Sequence, residues 1–110
     1  MRTIVKGRNL AVAESDRRYV EEKMRRLERL LDDRTDAVVE LGIEHHRDVD
    51  HARVVEISLW VDGESMRGVG RAATWRAAAD EVVDRVERQA VDRRERPRDL
   101  HRMPPRAPLG

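Results

Sequence analysis

Two stretches of the chain alternate with period two: Val39, Leu41 and Ile43 against Glu40, Gly42 and Glu44, then Val55, Ile57, Leu59 and Val61 against Val54, Glu56, Ser58 and Trp60. Successive side chains of a strand point to opposite faces, so each stretch is a strand with one face to bury and one left open. Asp62-Gly63 follows the second stretch directly, and its tolerance of positive φ marks a hairpin. Ser65 to Arg71 supplies the returning strand, weakened by Gly68 and Gly70. The chain is thereby committed to an antiparallel sheet with one apolar face, and its remaining residues have to provide the cover.

Helical spacing provides it. Val20, Met24, Leu27 and Leu31 form one apolar stripe, which predicts a helix from about Asp16 to Leu31, with Ser15 as the N-cap and Asp16 favouring the positive end of the helix dipole. Thr74 is placed to cap a second helix whose inner stripe is Trp75, Ala79, Val82, Val86 and Ala90, and Pro97 ends it. The first residues, Thr3 to Leu10, read as a short strand. The expected fold is α+β, in the order β-α-β-β-β-α, with a four-stranded sheet and both helices packed on one face. Residues 1–96 form the domain, and residues 97–110, with four prolines and no periodicity, read as a disordered Pro/Arg-rich tail or linker.

Composition excludes several functional classes. The chain has no cysteine, which rules out disulfides, zinc–thiolate sites and thiol nucleophiles and fits a reducing cytoplasm. No apolar run approaches a membrane span and the N-terminus lacks the apolar core of a signal peptide, so no membrane association is expected. With 41% charged residues the formal net charge is only +1, but its distribution is uneven. Residues 1–31 carry net +4, residues 32–92 carry −7, and residues 93–110 carry +4. A charge-segregated surface of this kind is able to meet nucleic acid without a basic total.

No catalytic constellation stands out. His45, His46 and His51 lie near one hairpin with Asp48 and Asp50, but neighbouring histidines on a strand point to opposite faces, and a solvated loop accounts for them. Gly68-x-Gly70 lacks the third glycine and the strand-to-helix setting of a dinucleotide site. Neither enzymatic activity, nor a metal, nor a cofactor is expected. On the helices, Glu21 with Arg25, Glu22 with Arg26, Glu81 with Arg85 and Asp84 with Arg88 are acid-before-base pairs at i,i+4, the favourable orientation on a solvated face. Lys6, Arg8, Lys23, Arg93 and Arg94 have no such neighbour and are the cations freest to meet phosphate. Trp75 reads as core. Trp60 faces outward on the open side of the sheet beside Val54, where an aromatic ring either stacks on a base or packs on a protein partner.

Three stretches, IVKGRNLAV at the start, RRYVEEKMRRLERLL on the first helix and RAAADEVVDRVERQAVDRR on the second, together with the Asp-Gly hairpin, resemble the ribosome hibernation promoting factor family, also described as ribosome-associated inhibitor or sigma-factor modulation proteins. The likeness covers residues 1 to about 96 and corresponds to that family's N-terminal domain. It implies two parallel helices over a four-stranded sheet. It also implies a stress-response translation inhibitor that binds the small ribosomal subunit over the decoding region, blocks messenger and transfer RNA, and holds on through Lys and Arg contacts to ribosomal RNA. The basic positions that match are Arg8, Lys23, Arg26, Arg29, Arg85, Arg88, Arg93 and Arg94, with Lys23 and Arg88 foremost. The chain departs from the family pattern at Ala13 and Asp16 and at Thr74 and Arg76. The family has short and long forms, and the chain fits either a short form or the N-terminal part of a long one. A cytoplasmic protein, monomeric at this length, with no DNA partner is expected. The alternative is a protein-interaction module that binds through the open sheet face around Trp60, or through the sheet edge.

Overall fold

The computed structural model describes residues 1–31, 34–61 and 63–95, with the side chains of the last two left aside. Its elements are β1 (Arg2–Gly7), α1 (Glu14–Glu28), β2 (Asp36–Ile43), β3 (Arg53–Val61), β4 (Glu64–Ala72) and α2 (Trp75–Glu95), with a 3-10 turn at Val49–His51. The strands lie in sequence order, β1 parallel to β2 and the other two pairs antiparallel. The expected β-α-β-β-β-α order is found, and α1 is the crossover that a parallel β1–β2 pair requires.

Register explains the core. Val5, Val39, Ile57 and Gly68 form one transverse row on the covered face, and Gly7, Leu41, Val55 and Gly70 form the next. Val20, Met24 and Leu27 of α1 and Ala78, Val82, Val83 and Val86 of α2 close over these rows. Leu27, Leu41, Ile57 and Leu59 are fully buried, each stabilising the fold by roughly 1.5–3 kcal/mol. Both rows end in glycine on β4 because α2 lies against that strand. A Cβ at Gly68 would fall 2.8 Å from Val86 Cγ2, and one at Gly70 would fall 2.3 Å from the Ala78 carbonyl oxygen. These glycines therefore do not weaken the strand, which runs unbroken for nine residues; they admit the helix.

Local signals are met in part. Thr74 caps α2, its Oγ1 accepting the Ala77 N–H at 3.1 Å. On α1 the cap is Ala13, with no side-chain bond, so Ser15 lies within the first turn and the helix stops at Glu28 rather than Leu31. The earlier start follows from a tight exit of β1: Asn9 takes φ 57°, and the Ala13 carbonyl already accepts the Arg17 N–H at 2.9 Å. Gly63 has φ 81° as the hairpin requires, while Asp62, the acidic turn at 32–33 and the Pro/Arg-rich stretch 97–110 lie outside the described residues. Trp75 sits on the rim of the core, half-buried, its Nε1–H donating to the Gly42 carbonyl at 2.9 Å and its ring under the Arg53 guanidinium at 5.2 Å.

Candidate nucleic-acid interface

Beside their buried stripes, α1 and α2 each carry a polar stripe at the same three-to-four-residue spacing, and the two stripes face each other across a seam. Contacts climb it in step: Arg76 to Asp16 at 3.2 Å, the Tyr19 hydroxyl to Asp80 at 2.8 Å and Lys23 to Asp80 at 3.2 Å. Higher still, Arg26 reaches Asp84 at 3.1 Å and Glu87 at 2.5 Å. Because both numbers rise together, the helices run parallel. The Tyr19 ring lies under Lys23 and Arg76, 5.7 and 5.1 Å from their cationic centres. The Asp80 carboxylate, hydrogen-bonded to both groups, raises the Lys23 ammonium and the Tyr19 hydroxyl above their ordinary values. Glu87 does the same to Arg26 through a direct hydrogen bond.

The basic residues singled out from the sequence are thus divided. Arg8 is not beside the cations of α1. It lies over Gly42 on the open sheet face, bound to Glu40 at 2.8 and 3.0 Å and to Glu56 at 3.4 Å. Lys23 and Arg26 sit in the seam, and Arg26 turns to α2 rather than to Glu22, which pairs with Arg25. Arg85 pairs with Glu81 at 3.1 Å as its spacing predicts, and also donates to the Val69 carbonyl. Arg93 reaches Glu64 at 3.2 Å and the Val61 carbonyl at 3.3 Å. Arg88 is exposed and, among the described residues, hydrogen-bonds the Asp84 backbone oxygen of its own helix at 3.4 Å and no carboxylate; Arg29 is exposed at the C-cap of α1. Arg94 has its side chain outside the described part. Of the cations expected to be free, Arg8, Lys23 and Arg93 are therefore paired, because carboxylates distant in sequence reach them across strands and helices. Among the described residues Lys6, Arg29 and Arg88, like Arg17 and Arg53, form no ion pair, although Lys6 lies across from Glu40.

The open face carries a second cluster that local sequence spacing missed: Glu56 between Arg8 and Arg67, and Glu44 between Arg71 at 2.8 Å and Arg47 at 2.9 Å. The signal for it was the hairpin register, which sets Arg67 and Arg71 diagonal or adjacent to these strands' acids. Trp60 is 47% exposed there as expected, and Ile4 is 52% exposed, while its neighbour Val5 is buried in the core. Val54 is buried beside Arg8 and opposite Arg71, not part of an exposed patch. Lys6, Val38, Glu40, Glu56, Ser58 and Trp60 line a shallow hollow of about 260 Å³.

Each edge strand carries side-chain hydrogen bonds on part of its length. On β4 the Val69 and Arg67 carbonyls accept from Arg85 and Gln89, and on β1 the Val5 carbonyl accepts from Arg17 at 2.6 Å. Side chains held there obstruct the addition of a further strand. Among the described residues no group of three or more His, Cys, Asp or Glu is placed to hold a metal ion, and no helix is long and apolar enough to cross a membrane. His45 and His46 lie in an exposed turn rather than on a strand, and His51 Nδ1 is 2.7 Å from Asp48.

Comparison with known proteins extends this geometry. Residues 3–98 match the family described as Sigma 54 modulation protein / S30EA ribosomal protein. A ribosome hibernation promotion factor of Deinococcus radiodurans is 42% identical over 83 residues, which are 76% of this chain and 44% of that protein. The chain thus spans less than half the length of that relative. The N-terminal domain of Thermus thermophilus Protein Y superposes with a TM-score of 0.69 at 33% identity, covering 82% of this chain and 96% of that one. A ribosomal subunit interface protein from Coxiella burnetii shares the fold, with a TM-score of 0.72 at 13% identity over 87% of this chain and 100% of that one.

Proposed function

Since the chain belongs to the Sigma 54 modulation protein / S30EA ribosomal protein family, we propose that it binds the small ribosomal subunit over the decoding region and blocks messenger and transfer RNA there. The observation that carries this is the family match over residues 3–98, which takes in every element of the fold save the first residue of β1. The mechanism is occlusion: a compact wedge held by guanidinium and ammonium contacts to ribosomal RNA phosphates, without catalysis or cofactor. Arg29 and Arg88 carry the contact on the helix side, with Lys23, Arg26 and Arg85 beside them and Arg93 and Arg94 at the end of α2. Arg8 contributes from the end of β1. Ribosomal RNA is the nucleic-acid partner, not DNA, and the site of action is the cytoplasm. The side chains bonded to both edge strands support a monomer.

The test is sedimentation with purified small subunits. The protein should travel with them in low salt, leave them as salt rises, and protect decoding-region nucleotides from chemical probes. Protein that stays at the top of a low-salt gradient refutes the proposal.

One observation favours a second reading. Trp60 and Ile4 expose about half their surface on the open face beside the hollow. A protein partner seated there would be lost in Trp60→Ala while sedimentation with small subunits stayed intact; loss of both would place Trp60 in the subunit contact instead.

A further inference from the structure

The seam between the helices holds its cations in a particular way. Lys23 and Arg26 are 30% and 38% exposed, and their partners Asp80, Asp84 and Glu87 are 44%, 54% and 31% exposed. All five side chains reach water, so a phosphate is able to approach the same cations the carboxylates already hold. Two outcomes follow for any polyanion. If Lys23 stays on Asp80, their fields largely cancel and the phosphate gains little. If Lys23 turns to the phosphate, a bare carboxylate is left within a few ångströms of a second anion. Arg26 is subject to the same choice twice over, having two acidic partners. In both cases the acid subtracts from binding.

We propose that Asp80, Asp84 and Glu87 are internal counterions that compete with RNA phosphate for Lys23 and Arg26, and so hold the affinity of the helix surface below what its cations alone would give. This rests on the reading of the protein as an RNA binder given above. Arg29 and Arg88, with no carboxylate partner, remain the constant part of the contact, while the seam is an adjustable part. The opposite role is physically available, since a carboxylate also holds a long cationic side chain in one posture. The half-exposed seam argues against it: ion pairs this open impose little order. Amide replacements separate the two roles, because Asn at 80 still accepts from the Tyr19 hydroxyl and Lys23 while its charge is gone.

The experiment measures binding of the full chain to purified small subunits by sedimentation and to poly(U) RNA by fluorescence anisotropy. The variants are Asp80→Asn, Asp84→Asn, Glu87→Gln and the triple. Asp48→Asn, which removes the same charge from an exposed loop, is the control. Competition predicts that each seam variant binds poly(U) about threefold more tightly, as loss of one surface pair allows. The triple should gain tenfold or more, with the slope of log K against log salt steeper by about 0.7 for each cation freed. Asp48→Asn should stay within about twofold, its charge lying off the seam. In a Lys23→Met background the gain from Asp80→Asn should shrink to the relief of direct carboxylate–phosphate repulsion, clearly below its size in the parent. Weaker or unchanged binding in the seam variants, with circular dichroism unaltered, overturns the proposal, and so does a gain from Asp80→Asn that is undiminished without Lys23. Tighter poly(U) binding by a protein that never sediments with subunits supports the seam competition and removes the ribosome reading instead.

Discussion

Replacing Gly70 by alanine should be among the most damaging one-methyl changes available to this domain. The added Cβ would lie 2.3 Å from the Ala78 carbonyl oxygen and 3.1 Å from Val82 Cβ and the Val82 nitrogen. Close carbon–oxygen contacts settle at about 3.3 Å or more, so the helix backbone has to retreat by about 1 Å. It has nowhere cheap to go, because Ala78, Val82 and Val83 on that segment are wholly buried against the sheet. Overpacking of a tight core costs about 1–3 kcal/mol, and a clash with backbone belongs at the upper end. At roughly 4–8 °C per kcal/mol for a domain of this size, a cost near 3 kcal/mol lowers the melting temperature by about 12–24 °C. Two other glycines calibrate the reasoning. Gly68→Ala meets only side-chain methyls, Val86 Cγ2 at 2.8 Å and Val82 Cγ2 at 3.1 Å, and should cost about half as much. Gly63→Ala meets nothing within 4 Å and carries only the strain of φ 81°, about 1–2 kcal/mol. Thermal melts followed by far-ultraviolet circular dichroism should place Gly70→Ala well below the other two, which should melt close together. A Gly70→Ala protein melting within about 4 °C of the parent would show that α2 does not seat on β4 as described.

Three further outcomes are expected. Thr74→Ala removes the hydroxyl that accepts the Ala77 N–H and should destabilise the domain by about 1 kcal/mol, measured by urea denaturation, with Thr74→Ser recovering most of it. Arg29→Glu and Arg88→Glu should each weaken sedimentation with small subunits more than Lys23→Glu does, since Lys23 is already partly neutralised by Asp80; the reverse ranking would place Lys23 at the centre of the contact. The third concerns pH. Hydrogen bonds from Arg71, then its charge and that of Arg47, hold the Glu44 carboxyl below its ordinary value of 4.5. A folded-state value below the unfolded one stabilises the protein fully above the ordinary glutamate range, and that stability is lost as pH falls through the lowered value. Glu44→Gln should therefore melt below the parent near neutral pH, with the gap closing in acid; a gap that is constant with pH would mean the Arg71 pair contributes no proton-linked stability.

How much of this was legible in the chain depends on the range of the interaction. Val39 to Val61 alternate in a way that only a half-buried sheet satisfies, and the stripes from Val20 to Leu27 and from Ala79 to Ala90 dictate helices, so element order and the covered face could be read directly. Thr74 was legible for the same reason, because a cap acts three residues away. Gly68 and Gly70 were misleading. In isolation a glycine lowers strand propensity, and only the approach of α2 turns the missing side chain into a requirement. Ser15 was misleading in a related way: a good capping side chain loses to Ala13 when the turn through Asn9 delivers the chain two residues earlier.

The charged surface was the least legible part, and the cause is geometric. Counting acids at i+3 and i+4 assumes that each helix faces water alone, whereas α1 and α2 lie side by side, and Arg26 finds Asp84 and Glu87 nearer than Glu22. Parallel packing makes such pairing systematic, since a polar stripe next to a buried stripe on one helix necessarily meets its counterpart on the other. The same registration that buries Val20, Met24 and Leu27 against α2 thus brings Lys23 and Arg26 to the α2 carboxylates. Arg88 and Arg29 escape because neither is drawn to a carboxylate across the seam. A chain of this composition is able to hold a near-neutral net charge and still present isolated cations, because helix packing, rather than abundance, decides which arginines remain available to phosphate.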